Sequence, residues 1–393
     1  MAERNDDEGE NSDVDCEDER DVLEYYFRKG YTYDEMLRFL SDFHGIDMSL
    51  STLQRRLNEH DLRRRQVNYD MMALRRRIQA ELDGPGCMAG YRSLWHSLRM
   101  EGIQVPRIIV QQLLAEMDPE GRDLRMAHRL KRRQYQNPGP NYTWHCDGYD
   151  KLKPYGFPVH GCIDGWSRKV LWLKITRSNN SPDAIASFYL ECVRHQNGCP
   201  VRLITDKGTE NGTAATIQCF FRDNLEAHKY VTSTHNQRIE AWWSYLRKSR
   251  SNWWINFFKD LIEQDILNTA DELHMECLWF CFSALLQSDL DNVKEHWNTH
   301  HIRPSRHTSV SGRPNSLFSF PDIQGGQNDL LLQVPEHKFN YAVNELVEVS
   351  HSNTYQEYFE HLILNRELEH GEDWRSALNL YKELLKIATN GRD

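Results

Sequence analysis

The 393-residue sequence predicts an α/β core built on a mixed five-stranded sheet, preceded by all-α units and followed by a further helical region. Three observations predict it. Apolar residues recur at helical spacing from Val22 to Met117, give way near Asn141 to short apolar runs punctuated by turn residues, and return to helical spacing after Phe318.

Residues 1–20 carry ten acidic and two basic side chains with almost nothing apolar, so they predict a disordered tail. That tail holds most of the formal net charge of −10, which on its own would argue against a nucleic-acid partner. Residues 21–66 read as a first helical unit. Val22, Leu23, Tyr26 and Phe27 share a helix face before Gly30; Thr32 and Glu35 make a capping box for a second helix that Gly45 stops. A third helix, Leu50 to His60, is capped by Ser49 or Ser51, buries Leu50, Leu53 and Leu57, and turns Gln54, Arg55 and Arg56 outward. Three short helices with a basic third one suit a helix-turn-helix reader of DNA. Eight arginines against three acids between Arg55 and Arg77 strengthen that reading, and Arg55, Arg56, Arg63, Arg64 and Arg65 are expected to meet phosphate. Residues 67–134 read as a second such unit, with helices near Tyr69–Leu82, Met88–Met100 and Pro106–Met117, the last with proline at its first position.

In the core, 135–318, strands are expected at Thr143–Gly148, Phe157–Ile163 and Lys169–Thr176, with a hairpin signal at Asp164-Gly165. A helix from about Ser181 to His195, a buried strand Val201–Thr205, a helix Thr213–Asn224, a strand near Lys229–Thr232 and a long helix Asn236–Arg250 follow. The order β-β-β-α-β-α-β-α is that of a ribonuclease H-like domain. It places the first and fourth strands side by side, so Asp147 and Asp206 end neighbouring strands while Glu240 approaches from the long helix. Phosphodiester chemistry needs hard oxygen ligands for divalent cations, and three converging carboxylates supply them.

At these residues the sequence resembles the DDE superfamily of polynucleotidyl transferases, in its retroviral-integrase-like branch. Trp144-x-x-Asp147, Thr205-Asp206-x-Gly208-Thr209-Glu210-Asn211 and Asn236-Gln237-Arg238-Ile239-Glu240 resemble that family's three motifs in order. Trp297–Phe318 is similar to the tail of many such cores, and Gly90–Val110 to the helical segment ahead of the catalytic domain in insertion-sequence transposases. The resemblance implies Asp147, Asp206 and Glu240 as the catalytic acids and ligands of two Mg²⁺ or Mn²⁺ ions. It implies Thr209 beside the target strand and Asn236, Gln237, Arg247 and Lys248 against DNA. The implied function is a metal-dependent DNA integrase or transposase, acting on element ends and target DNA as a homo-oligomer. A spacing of 33 residues between Asp206 and Glu240 is slightly short for this branch, so the loop before the long helix is expected to be shorter. No zinc-binding His-His-Cys-Cys module is evident at the N-terminus; helical units stand in its place.

Rival readings are a domesticated DNA-binding protein that keeps the core as scaffold, and a nuclease of the same fold that cuts without joining. Asp164, in its turn, and Glu210, capping a helix or holding a loop, are not expected to bind metal. His145 is expected to pack beside the site, and Trp242, Trp243, Trp253 and Trp254 to serve mainly as core anchors. His274, Cys277 and Cys281 sit among apolar residues and read as buried rather than as a zinc site. Nine cysteines without the density of a disulfide scaffold predict reduced thiols. With no long apolar span and no signal peptide, a nuclear location is expected in a eukaryote and a cytoplasmic one otherwise, with no secretion and no membrane partner. Residues 319–393 suggest a small bundle or multimer contact from apolar stretches at Tyr341–Val349, Tyr358–Leu364 and Trp374–Ile387.

Overall fold

A computed structural model describes residues 19–64, 69–87, 89–119, 137–178, 180–232, 235–304, 310–346 and 353–390. The acidic segment 1–18 and Arg65 lie outside them. The first unit is α1 (Glu19–Arg28), α2 (Tyr33–His44) and α3 (Leu50–Glu59). Its capping box forms as expected: the Glu35 N–H donates to Thr32 Oγ1 at 3.2 Å, and the Thr32 N–H donates to Glu35 Oε2 at 2.7 Å. Gly45 closes α2 at φ +63°, a backbone state in which a side chain would be strained. Ser49, not Ser51, caps α3; Leu53 and Leu57 are buried, but Leu50, expected to be buried with them, is exposed.

The second unit, α4 (Met71–Leu82), α5 (Tyr91–Met100) and α6 (Arg107–Met117), has its own apolar centre around Ile78, Leu98 and Val110. Pro106 precedes α6 as its cap residue instead of occupying the first helical position.

Between and beyond these units lies the sheet. Its strands β1 (Thr143–Tyr149), β2 (Val159–Asp164), β3 (Val170–Ile175), β4 (Arg202–Thr205) and β5 (His228–Tyr230) lie in the order β3-β2-β1-β4-β5. β1 is antiparallel to β2 and parallel to β4, and β5 runs parallel to β4, so the fold is the expected ribonuclease H-like mixed sheet. Asp164-Gly165 does not make a two-residue hairpin. The chain crosses from β2 to β3 through Gly165–Lys169, with Arg168 at φ +65°, and the buried Asp164 carboxylate gathers the loop. It accepts from the N–H groups of Asn141 (2.8 Å), Trp166 (3.1 Å) and Ser167 (2.7 Å) and from the Ser167 hydroxyl (2.7 Å). That many donors explain the residue structurally.

Alternation along β1 divides the core in two. Trp144 and Cys146 face α7 (Pro182–Gln196) and α8 (Gly212–Arg222), packing with Tyr189, Ile185 and Phe221. Tyr149 joins the opposite face, covered by α9 (Gln237–Leu246), α10 (Asn252–Glu263) and α11 (Glu272–Thr299). The long helix expected to stop at Arg250 does not stop there. A π turn, Arg247–Ser251, joins α9 to α10, and the helix continues because Trp254, Phe258 and Leu261 supply a further buried stripe.

α12 (Pro314–Ser319), α13 (Glu336–Asn344), α14 (Thr354–Arg366) and α15 (Trp374–Asn390) complete the described chain. The tail is not a bundle on its own. Phe359, Leu362, Tyr381 and Leu384 pack into the same cluster as Cys277, Cys281 and Phe282 of α11, while α13 covers α7 and α8. His274 Nδ1 pairs with the Tyr381 hydroxyl at 2.9 Å, and burial pushes the Cys281 thiol well above its ordinary range, so His274, Cys277 and Cys281 are packing residues. The described cysteines are all free thiols, and no described helix is long and apolar enough to cross a membrane.

Both helical units dock on the core. In the first, Arg313 pairs with Glu35 at 2.9 Å, Ser316 Oγ donates to Glu35 at 2.6 Å, and Phe320 joins the α1–α3 core. In the second, buried Glu81 receives Arg77 and, from the π turn, Arg250, each at 3.0 Å, while His96 Nε2 meets Thr299 Oγ1 at 3.0 Å. Arg250 is itself mostly enclosed and keeps the Asp289 carboxylate, at 3.7 Å, when Glu81 is removed, so the loss leaves a buried cation with weaker compensation. Glu81→Ala is therefore expected to destabilise the protein by about 3 kcal/mol, measured by urea unfolding. A loss under about 0.5 kcal/mol would place the pair in the class of weak surface bridges.

Candidate active site

The site is built just past the end of β4, beside the stretch of β1 that runs on beyond it, so Asp147 lies inside its strand instead of ending it as expected. Register pairs His145 with Ile204, so two residues further on Asp147 and Asp206 stand at matching positions on neighbouring parallel strands. Glu240 lies in the first turn of α9, half-buried, four residues after Asn236. The three acids feel one another's charge. Burial, then Asp206, pushes the Asp147 carboxyl up to about 7; the Trp243 hydrogen bond opposes this and Glu240 adds to it. Glu240 is raised by burial and then by Asp206. No three His, Cys, Asp or Glu side chains among the described residues already converge as a metal-binding group. Two carboxyls raised by burial and a neighbouring like charge are nonetheless the electrostatic state that a divalent cation relieves, and all three donors are hard oxygens, so the residues fit such an ion.

Each aspartate has one oxygen held by a protein donor. The Trp243 indole N–H donates to Asp147 Oδ2 at 3.0 Å. Asn211 Nδ2 donates to Asp206 Oδ1 at 2.9 Å, joined by the Gly208 N–H at 3.2 Å. Helical spacing alone identifies Trp243 only as a core anchor and assigns Asn211 nothing. A signal for both was available: the tryptophan is one turn past the glutamate on the helix, and the asparagine sits five residues past the aspartate, inside its motif.

Asn236 is a correction. It was expected to touch DNA, but it is fully buried, with Nδ2 donating to the Cys146 carbonyl at 2.9 Å and Oδ1 accepting from His145 Nδ1 at 2.8 Å. It bolts the start of α9 to β1. Burial holds His145 down to about 4, so the ring is neutral; with Asn236 Nδ2 given to the Cys146 carbonyl, the Oδ1 that remains calls for the Nδ1–H tautomer, and the ring keeps its expected packing role. Asn236→Ala would leave a buried N–H and a buried carbonyl without partners, an expected loss of about 2 kcal/mol on chemical denaturation. Unchanged stability would show that water or another group replaces the clamp.

Glu210 is no helix cap: Asn211 precedes α8 without a side-chain cap bond, and Glu210 lies in the short turn Thr209–Asn211. Its carboxylate occupies the space where a Cβ on Gly208 would stand, 2.0 Å away, and it is raised by burial and then by Asp206. It holds the loop, the other role foreseen for it.

The remaining candidates are distributed around this centre and away from it. Thr209, Arg247 and Lys248 are exposed and Gln237 half-exposed. Arg247 Nε donates to Asn252 at 3.3 Å. On α3 and after it, Arg55 pairs with Glu59 (2.9 Å), Arg56 with Glu19 (3.3 Å), and Arg63 with Asp61 (3.6 Å), all at the surface. Arg64 turns inward instead. Its guanidinium donates to the Tyr31 carbonyl and lies 4.6 Å from the Tyr33 ring, so it staples the first helical unit.

Comparison with known proteins agrees with this geometry. Residues 134–320 match the family model described as Integrase core domain, a span of just under half the chain that contains all three carboxylates. No curated protein matches the chain.

Proposed function

Taking residues 134–320 as an integrase core domain of the retroviral-integrase-like type, with the integrase- or transposase-like DNA function that this supports, we propose a specific chemistry. The protein is a metal-dependent DNA strand transferase: it hydrolyses phosphodiester bonds at element ends and joins the freed 3′-hydroxyls to target DNA. The observation that carries the reading is the placement of Asp147 and Asp206 at matching positions on neighbouring parallel strands, with Glu240 in the first turn of a helix that Asn236 bonds to β1.

Asp147, Asp206 and Glu240 would hold two Mg²⁺ or Mn²⁺ ions. Such ions, when bound, supply Lewis-acid stabilisation of the attacking and leaving oxygens. The chain's own residues do the rest. Asp147 is presented from within β1 and Asp206 from just past β4, Asn236 fixes the helix that carries Glu240, and the Trp243 and Asn211 donors restrain the two aspartates. Exposed Arg247 and Lys248, with Thr209 and Gln237 nearer the acids, are suited to the phosphate backbone, and Arg55, Arg56 and Arg63 to a more distant stretch of DNA. Arg64, engaged with the Tyr31 carbonyl and the Tyr33 ring, and Asn236, fully buried, are left out of that surface. Paired ends imply action as at least a dimer, in the nucleus of a eukaryotic host or otherwise in the cytoplasm.

The test is strand transfer by purified protein in Mg²⁺ or Mn²⁺ on DNA carrying the element's own ends, recovered from its genomic flanks. Joined products support the reading. Nicked but never joined products would identify a nuclease, and end binding without either would leave a domesticated DNA-binding protein.

A further inference from the structure

Trp243 is buried, and its ring is wedged between Tyr149, at a centroid distance of 5.2 Å, and Trp242, at 5.3 Å. The wedge has a slot made for it. Gly161, the direct cross-strand partner of Asp147 on β2, has no side chain, and a Cβ built there would stand 2.7 Å from Trp243 Cη2. So the residue opposite the carboxylate is absent, the indole fills the space, and its N–H reaches Asp147 Oδ2 at 3.0 Å. With Asn236 one turn before Glu240 and Trp243 one turn after it, α9 is bonded to β1 on both sides of the glutamate.

We propose that Trp243 is a positioning residue: its indole fixes the rotation of the Asp147 carboxylate so that Oδ1 is the oxygen offered to a divalent cation, and Gly161 is the vacancy that admits the indole. This rests on the reading of Asp147 as a metal ligand. A carboxylate with one oxygen tethered loses little rotational freedom when it ligates, whereas an untethered one must be ordered by the ion. The tryptophan therefore acts on metal affinity through Asp147 and touches no reacting atom.

The test is Mn²⁺ binding to the full chain, read from the electron paramagnetic resonance signal of free Mn²⁺, with thermal unfolding of the metal-free protein as the folding control. Trp243→Phe keeps an aromatic ring and removes the donor. Trp243→benzothienylalanine keeps the bicyclic shape and replaces the N–H by sulfur, so it separates the hydrogen bond from the packing. Both are expected to weaken Mn²⁺ binding about tenfold. Gly161→Ala, which pushes on the ring without altering its chemistry, should weaken it in the same direction. In an Asp147→Asn background none of the three should add a further loss. A folded benzothienylalanine variant that binds Mn²⁺ like the wild type would overturn the positioning role. Wild-type protein showing no Mn²⁺ binding that Asp147→Asn removes would instead overturn the metal-site reading on which it rests.

Discussion

Glu240→Gln and Asp147→Asn are each expected to lower DNA hydrolysis and strand transfer by on the order of a thousandfold or more while leaving DNA binding within a few-fold of wild type. The magnitude follows from what each acid would do. A lost anionic ligand weakens or misplaces a cation that stabilises charge developing in the transition state, and a few kcal/mol of transition-state stabilisation is two to three orders of magnitude in rate. The sparing of binding follows from location. Asp147 is mostly enclosed and Glu240 half-buried, whereas the cations suited to phosphate, Arg247, Lys248, Arg55, Arg56 and Arg63, are exposed elsewhere. Single-turnover cleavage and joining, with binding measured in parallel by fluorescence anisotropy, separates the two effects. Activity retained within tenfold in Glu240→Gln would exclude Glu240 from the catalytic acids. Equal loss of binding and chemistry would mean that the substitution damaged the fold.

Legibility of this site in the sequence followed the range of the interactions involved. Asp147 and Asp206 could be placed because strand order and register act on short apolar runs: once β1 and β4 are neighbours, the acids two residues past their last paired positions are neighbours too, although β1 runs on past Asp147. The capping box at Thr32 and Glu35 was equally legible, being a contact over three residues. Asn236 was misread because a polar residue at the start of a helix, one turn before the glutamate proposed as catalytic, has no local reason to be buried. Its partners, His145 and the Cys146 carbonyl, are about ninety residues away in the chain. Arg64 was misread for a related reason. Composition counts cations without direction, and the aromatic surface of Phe27 and Tyr33 that draws its guanidinium inward exists only after the helices pack. The missed end of the long helix is different again. Arg247–Ser251 is polar and looks like a terminus, but a π turn inserts a residue and lets the apolar stripe resume in α10.

Asp147 also makes a prediction about stability that runs opposite to the one about activity. In the metal-free protein its carboxyl is pushed up to about 7 from an ordinary value of 3.8, burial contributing most and Asp206 next. A raised carboxyl favours the folded state while it is protonated. Its contribution is complete below about pH 4 and is lost as pH rises through about 7. Three histidines work against it over part of this range: buried His145 and partly buried His228 and His300 are held down to about 4 by desolvation, so their neutral forms favour folding above pH 6.5 and that benefit fades on acidification. Comparing wild type with Asp147→Asn cancels the histidines and isolates the carboxyl. The amide imitates the protonated acid and keeps an oxygen for the Trp243 N–H. At pH 8 without divalent cations, Asp147→Asn is therefore expected to be more stable than wild type, by up to about 4 kcal/mol. The gap should close between pH 7 and 4. Adding Mg²⁺ at pH 8 should then raise the melting temperature of wild type and leave Asp147→Asn nearly unmoved, because the ion would relieve a repulsion that the variant no longer has. A variant no more stable than wild type at pH 8, or equal stabilisation of both by Mg²⁺, would remove the carboxylate repulsion from the account of this site. The expected outcome would mean that Asp147 is kept ionisable for what it binds, at a cost to the stability of the fold around it.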